Sequence, residues 1–206
     1  MNKKHGVLCI FTKAPVPGKV KTRLIPALGE EKATELYINL LRRTLDTACA
    51  SDRVDVRLYC TPTTTHPMLQ ECAQRVDVEL CLQQGDDLGA RMCNALLDGL
   101  KEHDYALVLG CDCPWLKTED LELAYDSLAS QTEVVLGPAK DGGYYLLGLC
   151  TDQNYLFDNM PWGESTVLEE TRRRLSLATI DWFELNEYAD IDVPEDLPAY
   201  EKLLTA

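Results

Sequence analysis

Residues 6–23 read GVLCIFTKAPVPGKVKTR, and the first seven of them decide the fold. Gly6–Thr12 is a continuous apolar run without polar alternation. A strand of that kind is buried on both faces, and two-sided burial belongs to parallel sheets covered by helices. Lys13–Arg23 then breaks the run as a loop. Two prolines stiffen it, and Gly18 permits a tight turn in which backbone can approach a ligand.

Outward from that start, strands and helices alternate. Residues 30–50 place Ala33, Leu36, Tyr37, Leu40, Leu41, Thr44, Leu45 and Ala48 on one helical face. Strands are expected at 54–60, 76–82 and 105–111. A short helix is expected near 66–74, and a longer one over 88–101 with Asp87 as N-cap. A helix over 119–130 is expected to start from Thr118. Strands at 134–138 and 144–149 flank a DGG turn. The spacing Thr166-x-x-Glu169 predicts a capping box opening a helix over 166–177. A short strand at 180–185 and a terminal helix at 194–204 complete the chain. Alternation of this kind predicts one α/β domain, a mostly parallel sheet with helices on both faces. Such sheets bind ligands beyond the carboxyl ends of their strands, where strand order reverses.

At 206 residues the chain suits a single domain with a sizeable core. No eighteen-residue apolar stretch or signal peptide is legible, so a cytoplasmic protein without a membrane partner is expected. Nine cysteines, an odd number without CxxC spacing, read as reduced thiols inside apolar runs. The net charge of −14 argues against nucleic acid polymers, which need a basic footprint. That charge is uneven. Residues 1–29 carry six Lys or Arg and no acid, whereas the remaining 177 residues carry 14 basic and 34 acidic side chains. The N-terminal segment is therefore either an anion site or a solvated basic terminus.

Five segments follow predicted strands and carry groups able to do chemistry. Lys13, Gly18, Lys19, Lys21 and Arg23 combine point charges, a guanidinium fork and a Gly turn, which suits phosphate groups. No P-loop and no GxGxxG is present. Asp112, ending the run Val-Leu-Gly-Cys-Asp-Cys-Pro, is either a turn former or a metal-binding carboxylate. Asp192 sits in Asp190-Ile-Asp-Val-Pro-Glu-Asp196, which also makes a good helix start with Pro194 in the first turn. Asp112 and Asp192 together would hold a Mg²⁺ or Mn²⁺ ion shared with phosphates. Asp141-Gly-Gly-Tyr-Tyr is a hairpin turn or a platform for a sugar or base. Arg91, one turn into its helix, is placed to reach the same site. His5, His66 and His103 stand in terminal or turn contexts, and neither a triad nor a GxSxG elbow can be assembled. The expected chemistry is displacement at phosphorus or at a sugar carbon, driven by metal and cations rather than by a covalent nucleophile.

The segments PxPGxxKTRL, GxDLGxRM, LGxDxP, GPAxDGGYYLLGL, Trp162-Gly-Glu-Ser and DIDxPEDL occur in that order. Together they resemble the GT-A-type nucleotide-diphospho-sugar transferase superfamily. The nearest resemblance is to a little-characterised bacterial glycosyltransferase family, some members of which are linked with arsenosugar biosynthesis. Resemblance implies a three-layer α/β/α, Rossmann-like sheet of about seven strands, with the first and fourth side by side. It implies nucleotide phosphates on the Lys19–Arg23 loop and Mg²⁺ or Mn²⁺ on Asp112 and Asp192. Molybdenum-cofactor and phospholactate guanylyltransferases share the architecture and transfer a nucleotidyl group with loss of pyrophosphate. In place of the DxD triplet of many glycosyltransferases, this chain carries Asp112-Cys113-Pro114.

Three functions follow. Foremost is sugar transfer from a nucleotide diphosphate sugar to a small acceptor, with Asp112 and Asp141 as catalytic carboxylates. Second is nucleotidyl transfer from an NTP to a phosphorylated small molecule. Third is a nucleotide-binding module without catalysis, for which a second carboxylate at Asp192 has little use. Nucleotide base, sugar, acceptor and oligomeric state are not legible.

Overall fold

The computed structural model describes residues 6–130 and 132–205; Lys3, Lys4 and His5 of the basic terminus lie outside them. Seven strands form one sheet: β1 (Gly6–Lys13), β2 (Val54–Thr61), β3 (Glu79–Leu82), β4 (Tyr105–Gly110), β5 (Val134–Pro138), β6 (Tyr144–Leu149) and β7 (Trp182–Glu184). Their order is β3-β2-β1-β4-β6-β5-β7. Every pairing is parallel except those of β6, which runs antiparallel between β4 and β5. The mostly parallel α/β sheet expected from the sequence is therefore present, with β1 and β4 adjacent.

The helices are α1 (Ile25–Leu28), α2 (Glu30–Ala48), α3 (Pro67–Val76), α4 (Leu88–Leu100), α5 (Thr118–Ser130), α6 (Val167–Ala178) and α7 (Leu197–Thr205). Alternate residues of β1 point to opposite faces, and both faces are covered. Leu8 and Ile10 join a core with Leu41 and Leu45 of α2, Leu69 of α3 and Tyr125 of α5. Val7 and Cys9 join a second core with Leu96 of α4 and with Leu168 and Leu175 of α6. This explains the unbroken apolar run of the first strand. Each fully buried leucine contributes about 1.5–3 kcal/mol relative to exposure. Among the described residues no helix is long and apolar enough to cross a membrane.

Several expected boundaries shift. The third strand starts at Glu79 because α3 runs on to Val76 and Asp77 turns with a left-handed φ of 54°. The last strand keeps only three residues. Thr118 is inside α5 rather than capping it. Its hydroxyl donates to the Thr47 carbonyl, and the Asp120 carboxylate accepts from the Lys117 amide at 3.0 Å. The capping box at Thr166 does not form either. Thr166 has helical rather than extended backbone (φ −100°, ψ −3°), so its hydroxyl caps nothing. The amide of Leu168 donates instead to the Gly142 carbonyl at 2.8 Å, so the DGG turn caps α6. Asp87 caps α4 as expected, accepting from the Ala90 amide at 2.7 Å.

Candidate active site

The sheet topology brings the singled-out residues together. Strand order reverses at β1, which has β2 on one side and β4 on the other, and a crevice opens beyond such a point. Phe11 pairs with Gly110, so β1 and β4 end level and release Lys13 and Asp112 side by side. Because β6 runs the other way, it begins at this same edge, and the DGG turn lies there too. The chain after β7 returns along it. Tyr188 bridges to Ala139, and the Ile191 amide donates to the Asp112 carbonyl at 3.0 Å. Asp112, Asp141, Asp190 and Asp192 thereby converge from three separate parts of the sequence.

On the β1 side a recess of about 440 Å³ is lined by Lys13, Lys19, Lys21, Arg23, Tyr37, Asp112 and Asp192. Lys13 and Lys19 are exposed at its mouth. Gly18 turns the loop with a φ of 77°, as its sequence position suggested. Tyr37 lies beneath; its hydroxyl accepts from the Lys13 amide at 2.7 Å and bonds the Thr12 hydroxyl at 2.9 Å. Burial and the nearby Cys111 and Asp112 push this phenol well above its usual range, so it remains a neutral hydrogen-bonding group.

Lys21 is the unexpected member. It has a left-handed φ of 46°, uncommon outside glycine, and its side chain is 3% exposed. Its ammonium lies 3.0 Å from Asp112 Oδ2 and 3.9 Å from Asp192 Oδ1. Arg23 donates to the other oxygen of Asp192. Two hard oxygen donors facing one cation suit Mg²⁺ or Mn²⁺ by donor chemistry, and phosphate oxygens usually supply the remaining ligands. Among the described residues no group of three or more His, Cys, Asp or Glu forms a metal cluster. The Asp192 carboxylate does not cap the last helix. Asp196 takes that part, accepting from the amides of Asp192 and Val193 at 2.8 and 2.9 Å.

Across Arg23 lies a second recess of about 390 Å³. Leu88 and Met92 of α4, Tyr144, Trp162 and Val167 give it apolar walls, and Asp141, Glu164 and Asp190 give it acids. Asp141 both lines this recess and shapes the turn, accepting from the Gly143 amide at 2.9 Å. Gly142 has a φ of 89°, and a Cβ there would fall 2.0 Å from the Ser165 carbonyl oxygen. Only glycine fits where the DGG turn meets the 162–166 loop. At Gly89 a Cβ would fall 2.3 Å from the Trp162 indole nitrogen, so the indole packs flat against bare α4 backbone. Trp162 also contacts Phe157 and Tyr144, with ring centroids 6.2 and 6.4 Å away. Asp190 is the perturbed acid. Burial, then the charges of Asp112 and Asp141, push its carboxyl up to about 7.

Lys13, Lys19, Lys21, Arg23, Asp112 and Asp192 thus share one recess, and Asp141 faces the next. Arg91 joins neither; its Nε donates to the Gly85 carbonyl at 2.9 Å. Tyr37 and Asp190 were not singled out from the sequence as site residues, and the walls of the second recess were visible only as parts of the GxDLGxRM, DGGYY and Trp162-Gly-Glu-Ser segments. Asp190 had a visible signal, an extra acid two residues before Asp192; Tyr37 looked like any other residue of its helical face. Cys111 and Cys113 flank Asp112 as buried free thiols, both pushed by burial up to about 12. A larger recess of about 590 Å³ runs along β3 and α4 and contains none of the four converging carboxylates.

Three comparisons bear on this arrangement. The family model described as "Uncharacterized protein conserved in bacteria (DUF2064)" matches residues 44–164. No curated protein matches the chain. Among solved structures, a provisionally named nucleotide-diphospho-sugar transferase from Desulfovibrio desulfuricans G20 is 30% identical with a TM-score of 0.84, over 92% of this chain and 83% of that one. A cytidylyltransferase from Leptospira borgpetersenii is 17% identical with a TM-score of 0.62, over 99% of this chain and 87% of its own. Glucosyl-3-phosphoglycerate synthase from Mycobacterium tuberculosis, solved with Mn²⁺, UDP and glucosyl-3-phosphoglycerate, is 10% identical with a TM-score of 0.57, over 95% and 75%. At such low identity the last two share the fold alone.

Proposed function

The chain belongs to the bacterial protein family DUF2064, and we infer that it is a metal-dependent transferase that moves a sugar from a nucleotide diphosphate sugar to a small acceptor. The observation that carries this reading is the pair of unlike recesses joined at Arg23, one cationic with two carboxylates, the other acidic and apolar. A diphosphate suits the first and a sugar with its acceptor suits the second.

Lys13, Lys19 and Arg23 bind the phosphates of the donor. Asp112 and Asp192 would hold a Mg²⁺ or Mn²⁺ ion, whose charge offsets that of the phosphates and of the departing diphosphate. Lys21 now occupies those two carboxylates. As the nucleotide binds, its ammonium passes from Asp112 to a phosphate oxygen. On the other side of Arg23, Asp141 orients the acceptor hydroxyl. The acceptor oxygen bonds to the donor's anomeric carbon while the bond from that carbon to the diphosphate oxygen breaks. The electron pair leaves on the nucleotide diphosphate, and the hydroxyl proton passes to the Asp141 carboxylate. Tyr144 and Trp162 exclude water from this path. The nine free cysteines suit a reducing compartment such as the cytoplasm.

Nucleotidyl transfer to a phosphorylated small molecule is the second reading, favoured by the fold shared with cytidylyltransferases. It requires a second anion site, and the second recess contributes only Arg23, which the donor phosphates already engage in this reading. Thermal shifts with NTPs, NDPs and NDP-sugars, each with and without Mn²⁺, separate the readings, because a ligand of the native state raises its stability in proportion to affinity. Stabilisation by an NDP-sugar with Mn²⁺ is expected. Stabilisation by an NTP alone would move the assignment to nucleotidyl transfer, and no response to any nucleotide would overturn both.

A further inference from the structure

We propose that the recess beyond Arg23 takes an unphosphorylated acceptor, a neutral or cationic polyol with an apolar, ring-like face. The proposal rests on the transferase reading above and deepens it from donor to acceptor.

The walls carry the case. Leu88 and Met92 of α4 and the Trp162 ring form one continuous apolar side, suited to a flat hydrocarbon face. Trp162 is held there from three directions, by Gly89, Phe157 and Tyr144. Its indole N–H is buried and has no acceptor among the described residues.

The same recess is also lined by Asp141, Glu164 and Asp190. Carboxyl groups accept hydrogen bonds from hydroxyl or ammonium groups. A phosphate monoester there would face three acids and one guanidinium whose charge Asp192 already offsets. Among the described residues, Lys13 and Lys19, cations of this edge without an ion pair, line the other recess, whereas Lys140 beside the DGG turn lines neither. Charge therefore divides the cleft: phosphate on the Lys13–Arg23 side, hydroxyl and ring on the Trp162 side.

Binding tests this without requiring turnover. In ¹⁵N-labelled full-length protein, the chain's three tryptophans give three indole signals. Trp115→Phe and Trp182→Phe assign the Trp162 signal by elimination, so the fold need not survive loss of Trp162. Phenyl β-D-glucoside, phenyl phosphate and inorganic pyrophosphate are titrated separately. Phenyl glucoside is expected to shift the Trp162 indole signal saturably, with phenyl phosphate at least tenfold weaker at that signal. The double variant Asp141→Asn, Glu164→Gln should narrow this gap. Equal or tighter binding of phenyl phosphate, or no response of Trp162 to the glucoside, overturns the proposal. Pyrophosphate should move the amides of residues 19–23 and leave Trp162 unchanged. Its failure to do so counts against the nucleotide reading while leaving the acceptor result to be judged on its own probes.

Discussion

The two recesses meet at Arg23 yet are built differently. The cationic one comes from a single loop, Lys13–Arg23, set against two strand ends and the returning segment at Asp192. Its members are placed by the parallel register of β1 and β4, which few side-chain changes can disturb. The acidic one is assembled from the first turn of α4, the DGG turn, the 162–167 loop and Asp190, held by contacts such as Gly142 against Ser165. The comparison teaches that the part expected to be common to many transferases is fixed by topology. The part expected to choose an acceptor rests on loops, which change without cost to the sheet.

The largest effect should come from the topological side. Asp112→Asn is expected to lower transfer by about a hundredfold or more, the several kcal/mol a metal ligand commands, while the Trp162 indole still responds to its probe. Turnover within threefold of wild type would place the chemistry outside this recess. Next is Arg23→Ala, which should weaken nucleotide binding by about 1.5–3 kcal/mol in calorimetric titration, typical of a charge-assisted bond. Unchanged affinity would remove Arg23 from the donor side and leave it only as a partner of Asp192.

On the loop side, Gly142→Ala forces a side chain into a left-handed turn and against the Ser165 carbonyl. A stability loss of about 1–3 kcal/mol in urea unfolding is expected, with nucleotide affinity of the folded fraction retained. Loss of nucleotide affinity as well would erase the distinction between the two sides. The smallest effect concerns Asp190 in metal-free protein. Burial and the neighbouring carboxylates push its carboxyl up from 3.8 to about 7, so between these values the native state binds more protons than the unfolded one. Stability therefore falls as pH rises through that window, by about 1–2 kcal/mol after solvent screening. Asp190→Asn should flatten the profile. An unchanged profile would mean that burial and the neighbouring Asp112 and Asp141 do not act on Asp190 as its position implies.

What was legible in the sequence follows the same division. The buried run of β1, the amphipathic face of α2 and the Asp87 cap depend on neighbours within a few residues, and all three form. The insertion of β6 between β4 and β5 depends on pairing Leu107 with Gly148, a contact no local pattern encodes. Thr166 fails as a cap because Gly142, 24 residues earlier, already supplies the hydrogen bond to α6. The cationic loop was visible as composition. Its internal arrangement was not, since the left-handed turn at Lys21 sends one cation inward among carboxylates while its neighbours stay at the surface.

That inward turn works as an interlock. With Lys21 in place, Asp112 and Asp192 are already satisfied, so a divalent ion arriving alone meets an occupied seat and a nucleotide arriving alone meets cations partly spoken for. Arriving together, they would let Lys21 turn to a phosphate as Asp112 and Asp192 take up the ion, so that no charge is left unpaired. Under the proposed transfer reaction such a rule would keep an incompletely loaded cleft from reacting with water.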